Sequence, residues 1–311
     1  MTHVARAPGK AIVCGEYAVL DGAPAISVAV DRRVVARVGD GPSSPFVAAA
    51  LAHAARAFGD PRLASLAVTV DSAALYEGEA KLGLGSSAAV TAAVVGLAAA
   101  HAGVALDDRA RLFAVADAAH AEAQGVAGSG IDVATSIHGG AVHFTRAGGV
   151  ANVRDVAWPR DLQLTFVFAG ESASTPKLVG MVQALRARAP SLYRARVDAL
   201  GEIARAFAAA IDRGDAAAAV AAARGWTPAL AALGTAADAP IVTPFFERLA
   251  QLAAAHGGSA KPSGAGGGDL GVALTVGDVA TATLRDALAR QGLRPLALSG
   301  PVPGLSLETT P

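Results

Sequence analysis

Lys81-Leu-Gly-Leu-Gly-Ser-Ser-Ala-Ala-Val90 is a glycine and serine turn that opens a long Ala/Val segment. Gly83 and Gly85 allow backbone conformations that side-chain-bearing residues resist. Ser86 and Ser87 supply hydroxyls and capping chemistry where a helix would begin. Such a turn leaves several backbone N–H groups facing outward at the positive end of a helix, a good place to hold a phosphate. An ordinary capped helix start satisfies the same residues. The choice between the two rests on the rest of the chain.

At 311 residues the chain makes one large domain or two ordinary ones, and either buries a sizeable core. Its 26 Lys+Arg balance 26 Asp+Glu, so no strong field draws it to nucleic acid or to an anionic membrane. An anionic ligand must then be held by local geometry. The single cysteine, Cys14, excludes an internal disulfide framework and a multi-cysteine zinc site, and suits a reducing, cytoplasmic setting. The first ten residues carry no apolar run followed by a small-residue cleavage site, so no secretion signal is expected. Ser86 to Leu106 has no charged residue and is long enough to span a bilayer. It is mostly alanine, broken by Gly96, His101 and Gly103, and begins in a polar turn, which favours a buried helix.

Working outward, residues 3–38 read as short strands, Ala11–Cys14, Ala25–Val30 and Arg32–Val38, around the bend Gly15–Gly22. A helix is expected over Phe46–Phe58 and a strand over Leu66–Val70. Asp107 is the expected N-cap of a helix that Gly125 stops. Gly128-Ser-Gly-Ile-Asp132 is a second glycine-rich turn, and Ala141–Thr145 a strand beyond it. The pattern restarts near residue 150, which suggests units at 1–155 and 156–311. Leu162–Phe168 reads as a strand, followed by Gly170–Pro176 and helices from about Lys177, from Pro190 and from Asp215. Thr243-Pro244 should start another helix. Lys261-Pro-Ser-Gly-Ala-Gly-Gly-Gly-Asp269 reads as a third glycine-rich loop, Gly271–Val276 as a strand and Asp278 as the cap of a last helix. Strands and helices alternate without a regular βαβ rhythm, so the expected class is α+β in two layers.

Three chemical candidates stand at these turns. Lys10 follows Pro8-Gly9 where a strand begins, Lys81 precedes the first glycine-serine turn, and Asp132 ends the second. A solvated lysine or a capping aspartate would explain each alone. The chain has no Gly-x-x-x-x-Gly-Lys-Ser/Thr, Gly-x-Gly-x-x-Gly, His-Glu-x-x-His or Gly-x-Ser-x-Gly. The commonest nucleotide, zinc and serine-hydrolase readings are therefore removed.

Ala7-Pro-Gly-Lys-Ala-Ile-Val-Cys-Gly-Glu-Tyr-Ala-Val19, Gly83-Leu-Gly-Ser-Ser-Ala-Ala89 and Lys261–Asp269, in this order, resemble the motifs of the GHMP kinase superfamily. Within it the chain is most similar to the phosphomevalonate kinases. The added matches are Pro24–Asp31, Lys81, Ala119-His-Ala-Glu-Ala-Gln-Gly125 running into Gly128–Asp132, and Ala173-Ser-Thr175. Mevalonate kinases of the superfamily carry a magnesium-binding glutamate one helix ahead of the catalytic aspartate. His120 stands nearest to that place here, which argues against mevalonate kinase. Leu270 also stands where cysteine is expected, and the chain is shorter than many phosphomevalonate kinases.

The resemblance implies a GHMP kinase fold: an N-terminal ribosomal-protein-S5-domain-2-like domain and a C-terminal ferredoxin-like domain, with ATP and substrate between them. It implies ATP and Mg²⁺ as cofactors and 5-phosphomevalonate as acceptor. Mevalonate kinase, diphosphomevalonate decarboxylase and a non-catalytic ligand-binding relative are the competing readings. The implied catalytic residues are Lys10, Asp132 and Lys81. Gly83, Leu84, Gly85, Ser86, Ser87 and Ala88 would cradle the phosphates, with Ser87 also toward the metal. Glu16, Tyr17, Ser129, Gly130, Ser174, Thr175, Ser263, Gly264, Ala265 and Gly266 would line the acceptor side.

Overall fold

Two long strands organise the molecule, β1 (Thr2–Cys14) and β2 (Ala25–Val38), in a computed structural model that describes residues 2–125, 128–170 and 173–310. Helix α1 (Pro45–Phe58), strand β3 (Val68–Asp71) and a small hairpin of β4 (Tyr76–Glu77) and β5 (Ala80–Lys81) follow. Then come α2 (Ser86–His101), α3 (Arg109–Gln124), α4 (Ile131–His138), β6 (Ala141–Ala147) and β7 (Val150–Val156). The later chain holds β8 (Leu162–Phe168), α5 (Thr175–Arg188), α6 (Pro190–Asp212), α7 (Ala216–Ala223), α8 (Trp226–Ala237) and α9 (Pro244–Ala255). It closes with β9 (Ser259–Ser263), β10 (Leu270–Val276), α10 (Asp278–Arg290) and β11 (Ser306–Thr310).

One antiparallel sheet has the order β11-β1-β2-β6-β7, with β3 also on β2; a second has the order β8-β10-β9. Helices pack against these sheets, so the class is α+β as expected. The last strand returns to the first sheet, pairing Arg6 with Ser306 and Val4 with Glu308.

The expected short strands of residues 3–38 are in fact two continuous ones. Their register shifts between Pro8, opposite Arg33, and Gly9, opposite Val30. This bulge absorbs Asp31 and Arg32, so the charged residues bend the pair without ending it. The expected strand at Leu66 begins at Val68, because Pro61–Ser65 first forms a 3₁₀ turn. Asp108, not Asp107, caps α3, its carboxylate accepting from the Arg111 amide. Gly277, not Asp278, precedes α10, and α5 begins at Thr175, two residues before Lys177. Helix α8 has no counterpart among the expected elements.

The uncharged helix α2 is buried along most of its length, between α1, α3, α4 and the β1–β2 pair. Gly96 explains one break in its alanine run. A Cβ there would lie 2.7 Å from Leu305, which packs across the helix. Ala216–Ala237 is long and apolar enough to cross a membrane, but it divides into α7 and α8, with Val220, Trp226, Leu230 and Leu233 in the core.

Candidate active site

Gly85 stands at the N-cap of α2 with φ 72°, and Gly83 takes φ 74° two residues earlier. Both lie in the left-handed region where a side chain is strained. Ser86 and Ser87 are the first helical residues, so neither is the cap. Among the described residues no side chain caps this end. The first N–H groups of α2 are then available to an anion, as in a helix terminus built for phosphate.

Lys10 is threaded beneath this turn. Its backbone N–H donates to the Leu84 carbonyl at 2.9 Å, and its Nζ lies 3.4 Å from the Gly83 carbonyl. Strand β11 pairs with β1 only as far as Arg6, which leaves this edge of β1 open for these contacts. A Cβ on Gly9 would approach the Leu84 oxygen to 2.9 Å. Only about 5% of the Lys10 side chain is exposed, and its Nζ lies 3.4 Å from Asp132 Oδ2. Residues far apart in the chain thus meet as a cation–carboxylate pair at the mouth of α2.

Asp132 sits in the first turn of α4, launched from Gly130 with φ 87°. A neighbouring ion pair clamps that turn. Arg146 Nε donates to the Ser129 carbonyl at 2.7 Å and its second nitrogen meets Asp117 Oδ2 at 2.6 Å. A Cβ on Gly130 would collide with both partners, at 2.5 and 2.6 Å. Arg146 and Asp117 carry no motif, and the sequence offered no signal for them. They also border a cavity of about 720 Å³ between α3 and the β6–β7 hairpin.

His120, on α3, places Nε2 3.1 Å from Ser87 Oγ and lies against Phe46 with ring centroids 5.3 Å apart. Burial pushes its pKa down, against an upward pull from Asp132 and Asp117, which favours the neutral ring. In the tautomer carrying its proton on Nε2 it donates to Ser87. A serine lone pair then stays available to a hard cation, whose preferred donors are oxygens. Ser87 therefore fits a Mg²⁺ ligand.

The Ala7–Val19 and Lys261–Asp269 segments are cross-linked. The Ile12 N–H donates to Ser263 Oγ at 2.9 Å, the Tyr17 hydroxyl donates to the Ala265 carbonyl at 2.6 Å, and the Gly264 N–H donates to Glu16 Oε1 at 3.2 Å. Lys261, expected in a loop, lies in β9 and is buried; its Nζ pairs with Glu16. Burial, then the Glu16 charge, pushes the Tyr17 phenol well above its ordinary range. Gly264 and Gly266 take φ 96° and 81°. The third segment also meets the first turn, since a Cβ on Gly83 would lie 2.6 Å from Asp269 Cβ.

Two predicted groups stand further out. Lys81 is exposed on β5, opposite Tyr76. Ser174 and Thr175 are exposed at the start of α5, next to Ala173, whose N–H lies 3.4 Å from Asp269 Oδ1. Glu171 and Ser172 of the 170–176 segment lie outside the described residues.

Residues 76–140, from the β4–β5 hairpin through α4, match the profile of the GHMP kinases N terminal domain. A Streptomyces sp. (strain CL190) protein named phosphomevalonate kinase is 31% identical, over 98% of this chain and 98% of its own. The chain belongs to the phosphomevalonate kinase family. Solved folds agree. A Listeria innocua protein aligns over 100% of both chains with a TM-score of 0.89 at 23% identity. The Streptococcus pneumoniae phosphomevalonate kinase, solved in complex with phosphomevalonate and AMPPNP, gives 0.80 at 20% identity, over 95% of this chain and 99% of that one. The chain has the GHMP kinase fold.

Proposed function

We propose that the protein transfers the γ-phosphoryl group of ATP to 5-phosphomevalonate, giving 5-diphosphomevalonate and ADP. The observation that carries this reading is the position of Lys10. Its Nζ is held between Asp132 and the Gly83 carbonyl, below an uncapped helix N-terminus. Family membership supplies the acceptor.

Phosphoryl transfer asks a protein chiefly for alignment and for charge at the transferred group. The amides of Ser86, Ser87 and Ala88, with the α2 dipole, would hold the ATP phosphates. Ser87 Oγ would be a ligand of Mg²⁺, which supplies charge neutralisation when bound. Lys10 would face the transferred group, its ammonium stabilising charge that develops in the transition state. Lys81, on the exposed edge of the hairpin, would add a second cation at the entrance.

The acceptor atom is a phosphate oxygen. With a second phosphate pKa of about 6, it is already ionised near neutral pH. A strong general base is then unnecessary, and Asp132 serves by fixing Lys10 and orienting the acceptor. The segments at Ser129–Gly130, Ser174–Thr175 and Ser263–Gly266 would form the acceptor side. A lone, buried thiol at Cys14 fits a cytoplasmic enzyme.

Coupled ADP release, measured with mevalonate, its 5-phosphate and its 5-diphosphate in parallel, tests the reading. The 5-phosphate should be the productive acceptor. Release only with mevalonate, or with the diphosphate together with CO₂, would assign the chain to another reaction.

A further inference from the structure

Lys261 and Glu16 form an ion pair whose side chains are only 1% and 2% exposed. The ammonium group also donates to the Ile12 carbonyl at 3.1 Å and to the Pro262 carbonyl at 2.6 Å. Glu16 Oε1 accepts from the Gly264 N–H as well, while Oε2 is buried with no partner among the described residues. Burial pushes the Lys261 pKa down and the Glu16 charge opposes that shift.

A buried pair of this kind is a poor device for stability alone, because desolvating two ions offsets their attraction and apolar replacements do as well. What it fixes is geometry. Every atom it engages belongs to one of two active-site segments. Ile12 lies two residues after Lys10 on β1. Gly264 opens the glycine run, which takes φ 96° and 81° at Gly264 and Gly266. Three donor bonds from one ammonium and two acceptor bonds at one carboxylate oxygen hold these segments at a set spacing.

We propose that the Glu16–Lys261 pair is a positioning clasp that sets the acceptor site against Lys10 by fixing β1 to the Gly264–Gly266 run. Glu16, which the resemblance placed on the acceptor side, then acts through the glycine run without touching the acceptor. The proposal rests on phosphomevalonate being that acceptor.

The test compares Glu16→Gln, Lys261→Met, the double variant and Glu16→Asp by thermal unfolding without ligand and by steady-state kinetics. Each of the first two leaves one unpaired buried charge or polar group, and should unfold at lower temperature. The double variant removes both charges and should recover much of that loss. Its KM for phosphomevalonate should nevertheless stay raised about tenfold, with KM for ATP within about twofold of wild type. A double variant with restored stability and wild-type acceptor KM overturns the clasp and leaves a purely structural pair. Should the double variant not fold, Glu16→Asp decides, since it keeps the charge and withdraws the carboxylate by one methylene. It should raise the acceptor KM several-fold (about 3–10), with KM for ATP within about twofold of wild type, and an unchanged acceptor KM overturns the proposal. Wild-type turnover in the same series separates the two readings. If phosphomevalonate is not turned over, the substrate reading fails, and the clasp is judged on the acceptor that is.

Discussion

Replacing Gly85 with alanine is the sharpest perturbation of the phosphate turn, because the structure gives the size of the clash. Gly85 has φ 72°, where a side chain costs about 1–2 kcal/mol in backbone strain. The new Cβ would lie 2.7 Å from Lys10 Cε and 3.1 Å from its Cγ. The Lys10 side chain is only 5% exposed, so it has no solvent-filled space into which to withdraw. Restoring ordinary 3.4 Å contact moves Cε by ~0.7 Å, enough to pull the ammonium off the Asp132–Gly83 line. A displacement near 1 Å at a catalytic group lowers turnover by about 10²-fold. Gly59→Ala is the control, since Gly59 has φ 75° and nothing within 4 Å of the added Cβ. Gly59→Ala should lose about 1–2 kcal/mol in denaturant unfolding and Gly85→Ala more, because its clash adds to the strain, and only Gly85→Ala should lose kcat in the ADP-release assay. Equal kcat in the two variants would refute the assignment of Lys10 to the reacting phosphate.

The same contacts set the effects of other substitutions. Lys10→Met should lower kcat by about 10²–10³-fold, as loss of one charge-stabilising donor does, with KM for ATP little changed in steady-state kinetics. Arg146→Ala frees the Ser129 carbonyl and unpairs Asp117. It should lower stability by about 2 kcal/mol in urea unfolding and reduce kcat, with Arg146→Lys recovering part of both. Burial, aided by Arg154 and opposed by Asp212, holds the His143 imidazole below its ordinary 6.5. Just below that pH the folded chain binds fewer protons than the unfolded one, so stability declines as pH falls through about 6.5. His143→Gln should flatten this slope in thermal unfolding followed from about pH 7.5 to 5; an unaltered slope would assign the pH dependence to other groups.

Much of this site was legible in sequence because its geometry is written in glycine. The positive φ values at Gly83, Gly85 and Gly130 exclude most other residues, so the turns declare themselves locally. Sequence spacing also marked Lys10 and Asp132 as candidates, though their meeting depends on α4 packing beside β1. The third segment was harder. Proline, serine and a glycine run hide the short strand Ser259–Ser263, and a fully buried lysine is rare enough that Lys261 passed as loop surface. Arg146 and Asp117 meet across elements, through a contact that no local pattern encodes. The pairing of β11 with β1 joins the two ends of the chain and has no sequence signature. Helix α8 was missed for a different reason: its Ala, Gly and Thr content gives no clear apolar periodicity to read.

In the proposed reaction a phosphate oxygen of phosphomevalonate attacks the γ-phosphorus of ATP. ³¹P NMR of the reaction mixture observes that bond directly. A new pair of coupled resonances from a diphosphate monoester should grow in step with ADP, without orthophosphate or CO₂. A single new phosphomonoester resonance from mevalonate, or orthophosphate released with CO₂ from the diphosphate, would contradict it.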